Sequence, residues 1–176
     1  QLVKRKSNHP SLFDPDFHLV FFLDGGSCSS FISRAASARI GARLIATRDL
    51  TLTTLQGSKT EKTELVSFTI FDVFGQPHNI VAYTRDFICK PPSQIDLGTL
   101  EQIFPEMDVS VLQRPAAPVD VLLGADYFGL HAKNEITANG NLSVMKGTLG
   151  LCLQGSHPSL LPYLLHSPTG HCISAK

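Results

Sequence analysis

Two apolar runs in this sequence end in the same way, and that ending constrains the fold more than any other feature. Phe17 to Leu23 reads Phe-His-Leu-Val-Phe-Phe-Leu and halts at Asp24-Gly25-Gly26-Ser27. Val119 to Leu123 reads Val-Asp-Val-Leu-Leu and halts at Gly124-Ala125-Asp126-Tyr127-Phe128. A short apolar run rich in strand formers and stopped by turn residues is a buried strand feeding a tight loop. Each strand therefore delivers a Gly and an Asp at its exit, which hints at internal pseudo-symmetry, although no repeat with the roughly 20 to 50 residue period of solenoids is present. Burying a lone carboxylate is costly unless it is hydrogen-bonded or shares a proton, so Asp24 marks either an ordinary Asp-Gly turn or a functional acid. Gly25 and Gly26 allow backbone amides to turn toward it, and Ser27 offers a hydroxyl.

The rest of the pattern is mostly β. Ser29 or Ser30 is placed to cap a helix in which Phe31, Ile32, Ala35, Ala36 and Ile40 recur at helical spacing, with Gly41 where a C-terminal cap falls. Leu50 to Leu55 alternates Leu with Thr, Gln56-Gly57-Ser58-Lys59 reads as a polar turn, and Leu65 to Phe74 alternates again. This predicts a long hairpin with an exposed tip. His78 to Tyr83 predicts a further strand, Lys90-Pro91-Pro92-Ser93 an irregular connection, and Leu97 to Phe104 a short helix ending before Pro105. Asn139-Gly140 is a hairpin signal between Glu135-Ile136 and Leu142 to Met145, and Gly150 to Leu153 predicts a last strand. Many short strands with Gly and Pro turns, and one or two short helices, predict a mainly β, closed or strongly twisted sheet. Residues 1–16 read as an N-terminal arm, 17–158 as the domain and 159–176 as a loosely attached tail.

Composition narrows the function classes. The 176 residues carry 15 basic and 15 acidic side chains and are 43% hydrophobic, which suits one packed domain and not a disordered segment. Zero formal net charge argues against a protein that grips nucleic acid, and Lys4-Arg5-Lys6 reads as part of a solvated arm. No apolar run reaches the roughly 18 to 20 residues that cross a bilayer, and no signal-peptide core follows the basic start. No membrane partner and an intracellular, cytoplasmic location are therefore expected. Cys28, Cys89, Cys152 and Cys172 lack Cys-x-x-Cys spacing and are expected as reduced thiols. The His are dispersed, so no metal is expected, and Cys28 reads as a small packed residue, not a nucleophile paired with a distant His. Asp126 reads as a helix N-cap ahead of Tyr127 to His131 in preference to a catalytic group.

Leu23-Asp24-Gly25-Gly26-Ser27, with Ser30-Phe31-Ile32 and the stretch to Ile40-Gly41, resembles the active-site loop of retropepsin-type aspartic proteases, whose pattern is Asp-Thr/Ser-Gly-Ala/Ser. Val119 to Phe128 and then Gly147-Thr148-Leu149-Gly150-Leu151-Cys152-Leu153-Gln154-Gly155-Ser156-His157-Pro158 follow in order. Together the three blocks are similar to the protease domain of Pao/BEL-type retrotransposon polyproteins over the span from Phe17 to Pro158.

The resemblance implies a retropepsin-like, closed barrel-like fold in which each chain supplies one Asp loop and two chains meet as a homodimer. It maps Asp24 onto the catalytic aspartate, Gly26 onto the loop glycine and Ser27 onto the small residue after it. Val121 to Gly124, with Leu122, Leu123 and Gly124, maps onto the apolar-apolar-Gly segment that braces the active-site strand. Gln56, Gly57, Ser58 and Lys59, on to Lys62, fall where a flap would cover substrate. The implied function is an aspartic endopeptidase that cleaves extended polypeptide, as in retroelement polyprotein processing, without metal or cofactor. Two carboxylates about 3 Å apart cannot both ionise, so they hold one shared proton. One activates water while the other protonates the carbonyl oxygen. Substrate would lie extended between flap and floor, alternate side chains entering apolar pockets.

Two positions depart from the family pattern. Gly25 stands where the family has a Ser or Thr whose hydroxyl links the loops across the dimer, a loss of about 1 kcal/mol per hydrogen bond. Loosening such a site by about 1 Å costs on the order of a hundredfold in rate. Leu151 replaces a frequent aromatic and bears on packing. Gly25 keeps an alternative open: a catalytically impaired or domesticated retropepsin-like domain acting as a dimerisation or peptide-binding module. A third reading is an unrelated β-barrel binding module in which Asp24-Gly25-Gly26 is merely a turn.

Overall fold

Period-two alternation builds most of the chain, as the sequence predicts. The computed structural model describes residues 2–4, 18–54, 57–90, 94–113 and 117–165. Strands β1 (Leu2–Lys4), β2 (His18–Leu23), β3 (Phe31–Ser33), β4 (Arg43–Thr54), β5 (Gly57–Phe71), β6 (Pro77–Arg85) and β7 (Val121–Leu123) form one sheet in the order β1-β2-β7-β3-β6-β5-β4. Strands β8 (Asn134–Asn139), β9 (Asn141–Gly147) and β10 (Gly150–Ser156) form a second, antiparallel sheet. Asn139-Gly140 makes the β8 to β9 connection as expected, Gly140 taking φ +60. Three short helices are described, α1 (Arg34–Arg39), α2 (Leu97–Ile103) and α3 (Leu161–Leu165), where the pattern predicted one or two.

The larger sheet is open, which corrects the expected closed barrel. It curls until β1 comes into contact with β5, yet among the described residues β1 pairs only with β2, and β4 at the other edge pairs only with β5.

Local pattern misleads in two further places. Phe31 and Ile32 belong to β3 and not to a helix, because they are claimed by long-range ladders: Phe31 pairs with Tyr83 and Leu122, and Ile32 with Val121. The helix α1 starts one turn later, capped by Ser33 and not by Ser29 or Ser30; Ser33 Oγ accepts Ala36 N–H at 3.0 Å. Gly41 follows its end with φ +59, the position a left-handed cap requires. In the long hairpin, Gly57, Ser58 and Lys59 lie in the ladder opposite Thr54, Thr53 and Leu52 instead of forming the turn. Hydroxyl pairs extend the pairing outward, Thr53 to Ser58 at 2.9 Å and Thr51 to Thr60 at 2.8 Å. Leu55 and Gln56 lie outside the described residues.

Alternation sorts the strands into two faces. One face of the large sheet, with Phe21, Ile32, Ile70, Ile80, Val121 and Leu123 almost fully buried, packs with Ala36 and Ile40 from α1 and its end. A second cluster joins α2 to the small sheet through Leu100, Ile103, Leu142, Val144 and Leu153. Leu160 is fully buried in that cluster and Tyr163 of α3 packs on it. At the other end Leu2–Lys4 of the expected arm is paired in the sheet. Residues 5–17, 91–93 and 166–176, the last including Cys172, lie outside the described residues. Cys28, Cys89 and Cys152 form no disulfide with one another, and no described helix is long and apolar enough to cross a membrane.

Asp96 holds α2 and α3 together. It caps α2, accepting Thr99 N–H at 2.9 Å and Thr99 Oγ1 at 2.7 Å, and it also accepts the Tyr163 hydroxyl. The Thr99 bond, then the Tyr163 bond, hold the carboxyl down at about 2. Its folded value lies below the unfolded one, so the stability it contributes is present above about pH 4 and lost as pH falls toward about 2. The urea midpoint of the protein is expected to drop across that window, and to drop less in Asp96→Ala. Parallel curves for the two proteins would show that Asp96 has no such role.

Candidate active site

The site is built from the way β7 enters the sheet. Strands β2 and β3 are joined by the loop that carries Asp24, yet they are not neighbours: β7 is threaded between them, parallel to β2 and antiparallel to β3. Asp120, just before β7, fixes its start; the buried carboxylate accepts Val20 N–H at 2.9 Å and pairs with Arg39 at 3.0 Å. At the other end Asp24 N–H donates to Leu123 O at 2.9 Å, so the ladder runs up to the first residue of the loop. Leu123 is fully buried in the main core, and Leu122, 9% exposed, lies on the other face of the sheet.

Gly124 then nests inside the Asp24 loop. A Cβ at this position would lie 2.6 Å from Ser27 O and 2.7 Å from Ser29 O. Its φ is −84, so glycine is required by contact and not by backbone conformation. The fit is closed by Ala125 N–H to Ser27 O at 2.7 Å and by His131 Nε2 against Gly124 O at 3.0 Å. Ser27 Oγ donates to Ser29 O at 2.7 Å, shaping the loop from within.

The carboxylate itself is half-buried between exposed neighbours Gly25, Gly26 and Cys28. Asp24 Oδ1 accepts Gly26 N–H at 2.9 Å, and Asp24 O accepts Ser27 N–H at 3.2 Å. A Cβ on Gly26 would press on Oδ1 at 3.2 Å, so that glycine leaves room for the acid it orients. A Cβ on Gly25 would meet nothing within 4 Å, and Gly25 is not among the glycines with positive φ. The fold itself therefore does not demand glycine at position 25.

Beside the loop, the ladder registers align a row of apolar residues on the face opposite the main core. Phe22 pairs with Leu122, Leu122 with Phe31, Phe31 with Tyr83, and Tyr83 with Leu65. The Phe31 and Tyr83 rings stand 6.2 Å apart, and Arg85 lies over Phe31 at 5.9 Å. Arg85 is held by Glu61 at 3.3 Å, and Glu61 also faces Lys59 at 3.5 Å. The row links the Asp24 loop to the hairpin through β6 and β5. Gly57, Ser58 and Lys59, the described flap candidates, sit at the far end of that hairpin and pair with β4; Gln56 lies outside the described residues.

The structure thus brings Asp24, Gly25, Gly26 and Ser27 together with Leu122, Leu123 and Gly124. Asp126 is not a helix N-cap: Gly124 precedes the 3-10 turn Ala125–Leu130, and the Asp126 side chain reaches back to Ser30. The sequence signals neither the pairing of Ser30 with Asp126 nor the apolar row as a site feature. Strand alternation carries a signal for the row only as one face of a sheet; nothing local joins Ser30 to Asp126, which are 96 positions apart. Among the described residues no group of three or more His, Cys, Asp or Glu is arranged to hold a metal ion. No known protein family, curated protein or solved structure matches the chain.

Proposed function

We propose that this chain is half of an aspartic endopeptidase: a retropepsin-like domain, similar to those of Pao/BEL-type retrotransposon polyproteins, that pairs with a second copy and hydrolyses extended polypeptide. The observation that carries the reading is the placement of Asp24 at the exit of β2, with β7 threaded beside it and Gly124 nested against its loop. One carboxylate cannot serve at once as the base that activates water and the acid that protonates the carbonyl oxygen. Two Asp24 groups facing each other do both with one shared proton. The exposed Gly25 and Gly26 leave the loop open to a second copy, and zero net charge leaves that approach unopposed. The row from Phe22 to Leu65 supplies an apolar floor for alternate side chains of a bound strand, with the β4 to β5 hairpin as the flap. At about pH 5 to 6 the protein is expected to cut extended peptides internally. The rate per chain should fall on dilution as dimers separate; no internal cleavage at any concentration contradicts the reading.

A specific observation favours a second reading, a dimerisation or peptide-binding module with impaired chemistry: Gly25 offers no hydroxyl to a partner loop. Gly25→Ser separates the two. The open space at position 25 accepts the side chain, and a hydroxyl from each of two loops adds about 1 kcal/mol per bond, tightening the dimer about 30-fold. An active protein gains at most a few-fold in kcat at saturating dimer. A step from no cleavage to measurable cleavage identifies the impaired module.

A further inference from the structure

Position 25 contributes no side-chain bond to the Asp24 loop, so the order of that loop has to come from elsewhere. It comes from its far end. The Asp126 carboxylate accepts Ser30 N–H at 3.0 Å through Oδ2 and the Ser30 hydroxyl at 2.7 Å through Oδ1. The same hydroxyl accepts Gly124 N–H at 3.0 Å. Ser30 is 1% exposed and its bond to Gly124 is shielded from water, whereas Asp126 is exposed and reaches Ser30 through part-buried bonds, so the carboxylate ties the buried Ser30–Gly124 bond to the surface. Two donors converge on two oxygens, a demand that an acceptor-only carboxylate meets as it stands, whereas an amide has to reverse the bond to the Ser30 hydroxyl, which already accepts Gly124 N–H. The loop is therefore tied to the end of β7 at three points, Asp24 N–H on Leu123, Ala125 N–H on Ser27, and Asp126 through Ser30 on Gly124, and to β6 by Tyr83 N–H on Ser30 O at 3.0 Å.

We propose that Asp126 is a positioning residue for Asp24: with Ser30 it latches the Asp24 loop to the end of β7 within one chain, and so supplies the order that position 25 does not. The proposal rests on the aspartic endopeptidase reading of the site. Asp126 touches neither Asp24 nor the floor row in any described hydrogen bond; it acts through Ser30 and the backbone of the loop. Asp126→Asn keeps the acceptor for Ser30 N–H but loses the charge and reverses the bond to the Ser30 hydroxyl, whereas Asp126→Ala removes both bonds.

The test combines peptide cleavage with amide hydrogen exchange on the whole chain. Asp126→Asn is expected to lower kcat about 10-fold and Asp126→Ala about 100-fold, with KM within about 3-fold, because the acid is misplaced and not lost. Gly25→Ser should raise kcat by about 10-fold or more in the Asp126→Ala background against at most about 3-fold in the parent, a coupling that a merely structural role would not produce. Exchange at the Ser30 and Gly124 amides should accelerate in Asp126→Ala while that at Ile32 and Val121 stays unchanged. Unchanged kcat, a loss confined to KM, or the same gain from Gly25→Ser in both backgrounds overturns the latch. If Asp126→Ala does not fold, the Asn variant carries the same comparison. If the parent chain cleaves nothing, the reading of the natural chain as an active endopeptidase has failed, and exchange alone decides the latch: unaltered Ser30 and Gly124 amides overturn it.

Discussion

Asp24→Asn is expected to abolish peptide cleavage and to leave the fold in place. Asn is close to Asp in size, and its Oδ1 still accepts Gly26 N–H, now at 2.9 Å from Asp24 Oδ1. The backbone bonds of residue 24 to Leu123 and Ser27 do not involve the side chain. Stability should therefore change by no more than about 0.5 kcal/mol. The chemistry cannot survive in the same way, because an amide neither takes the proton of the attacking water nor delivers one to the carbonyl oxygen. Loss of a positioned acid-base group costs on the order of 10³-fold or more when both roles fall on one pair. Thermal melts that overlay, beside a kcat lowered by that factor, are the expected result. Equal cleavage by the two proteins would leave Asp24 as no more than a turn residue.

Gly124→Ala should unfold much of the protein or displace the Asp24 loop. The new methyl group meets Ser27 O at 2.6 Å and Ser29 O at 2.7 Å, and both obstacles are backbone. No flexible side chain can yield, and β7 cannot retreat because it is hydrogen-bonded on both sides. Overpacking of this kind costs about 3 kcal/mol or more. For a chain of this length that lowers the melting temperature by roughly 6 to 12 °C. The molecules that stay folded should carry Asp24 out of register and lose about a hundredfold in rate. Gly25→Ala is the matched control, since nothing lies within 4 Å of its added Cβ. A Gly124→Ala protein that melts with the parent would mean that the loop does not close on β7 as described.

The strand exits at Leu23-Asp24 and Leu123-Gly124 were legible because a buried strand and a turn residue are both local signals. Their partnership needed the resemblance, since nothing in either run says that β7 enters between β2 and β3. The helix start was misread because Phe31 and Ile32 satisfy a helical spacing that their ladders to Tyr83 and Val121 override. Gly57 to Lys59 looked like a turn because Gly, Ser and Lys are turn-prone, whereas the cross-strand hydroxyl pairs that extend the ladder involve Thr51 and Thr53 on the other strand. Closure was expected from the number of short strands, whereas which strands pair at the two edges of the sheet is decided by long-range contacts that local pattern does not show. Asp126 illustrates the same limit at the site: its local context suits a helix cap, and its partner is Ser30, far away in sequence.

The central claim is that each chain holds half a site, and mixed dimers test it most directly. Parent and Asp24→Asn chains would be mixed at fixed total concentration, allowed to exchange subunits, and assayed on one peptide. If only dimers with two carboxylates cleave, activity follows the square of the parent fraction, and an equal mixture retains about one quarter of the parent activity. Retention of about one half, in proportion to the parent chains present, would show that a single Asp24 suffices and would contradict the two-chain site.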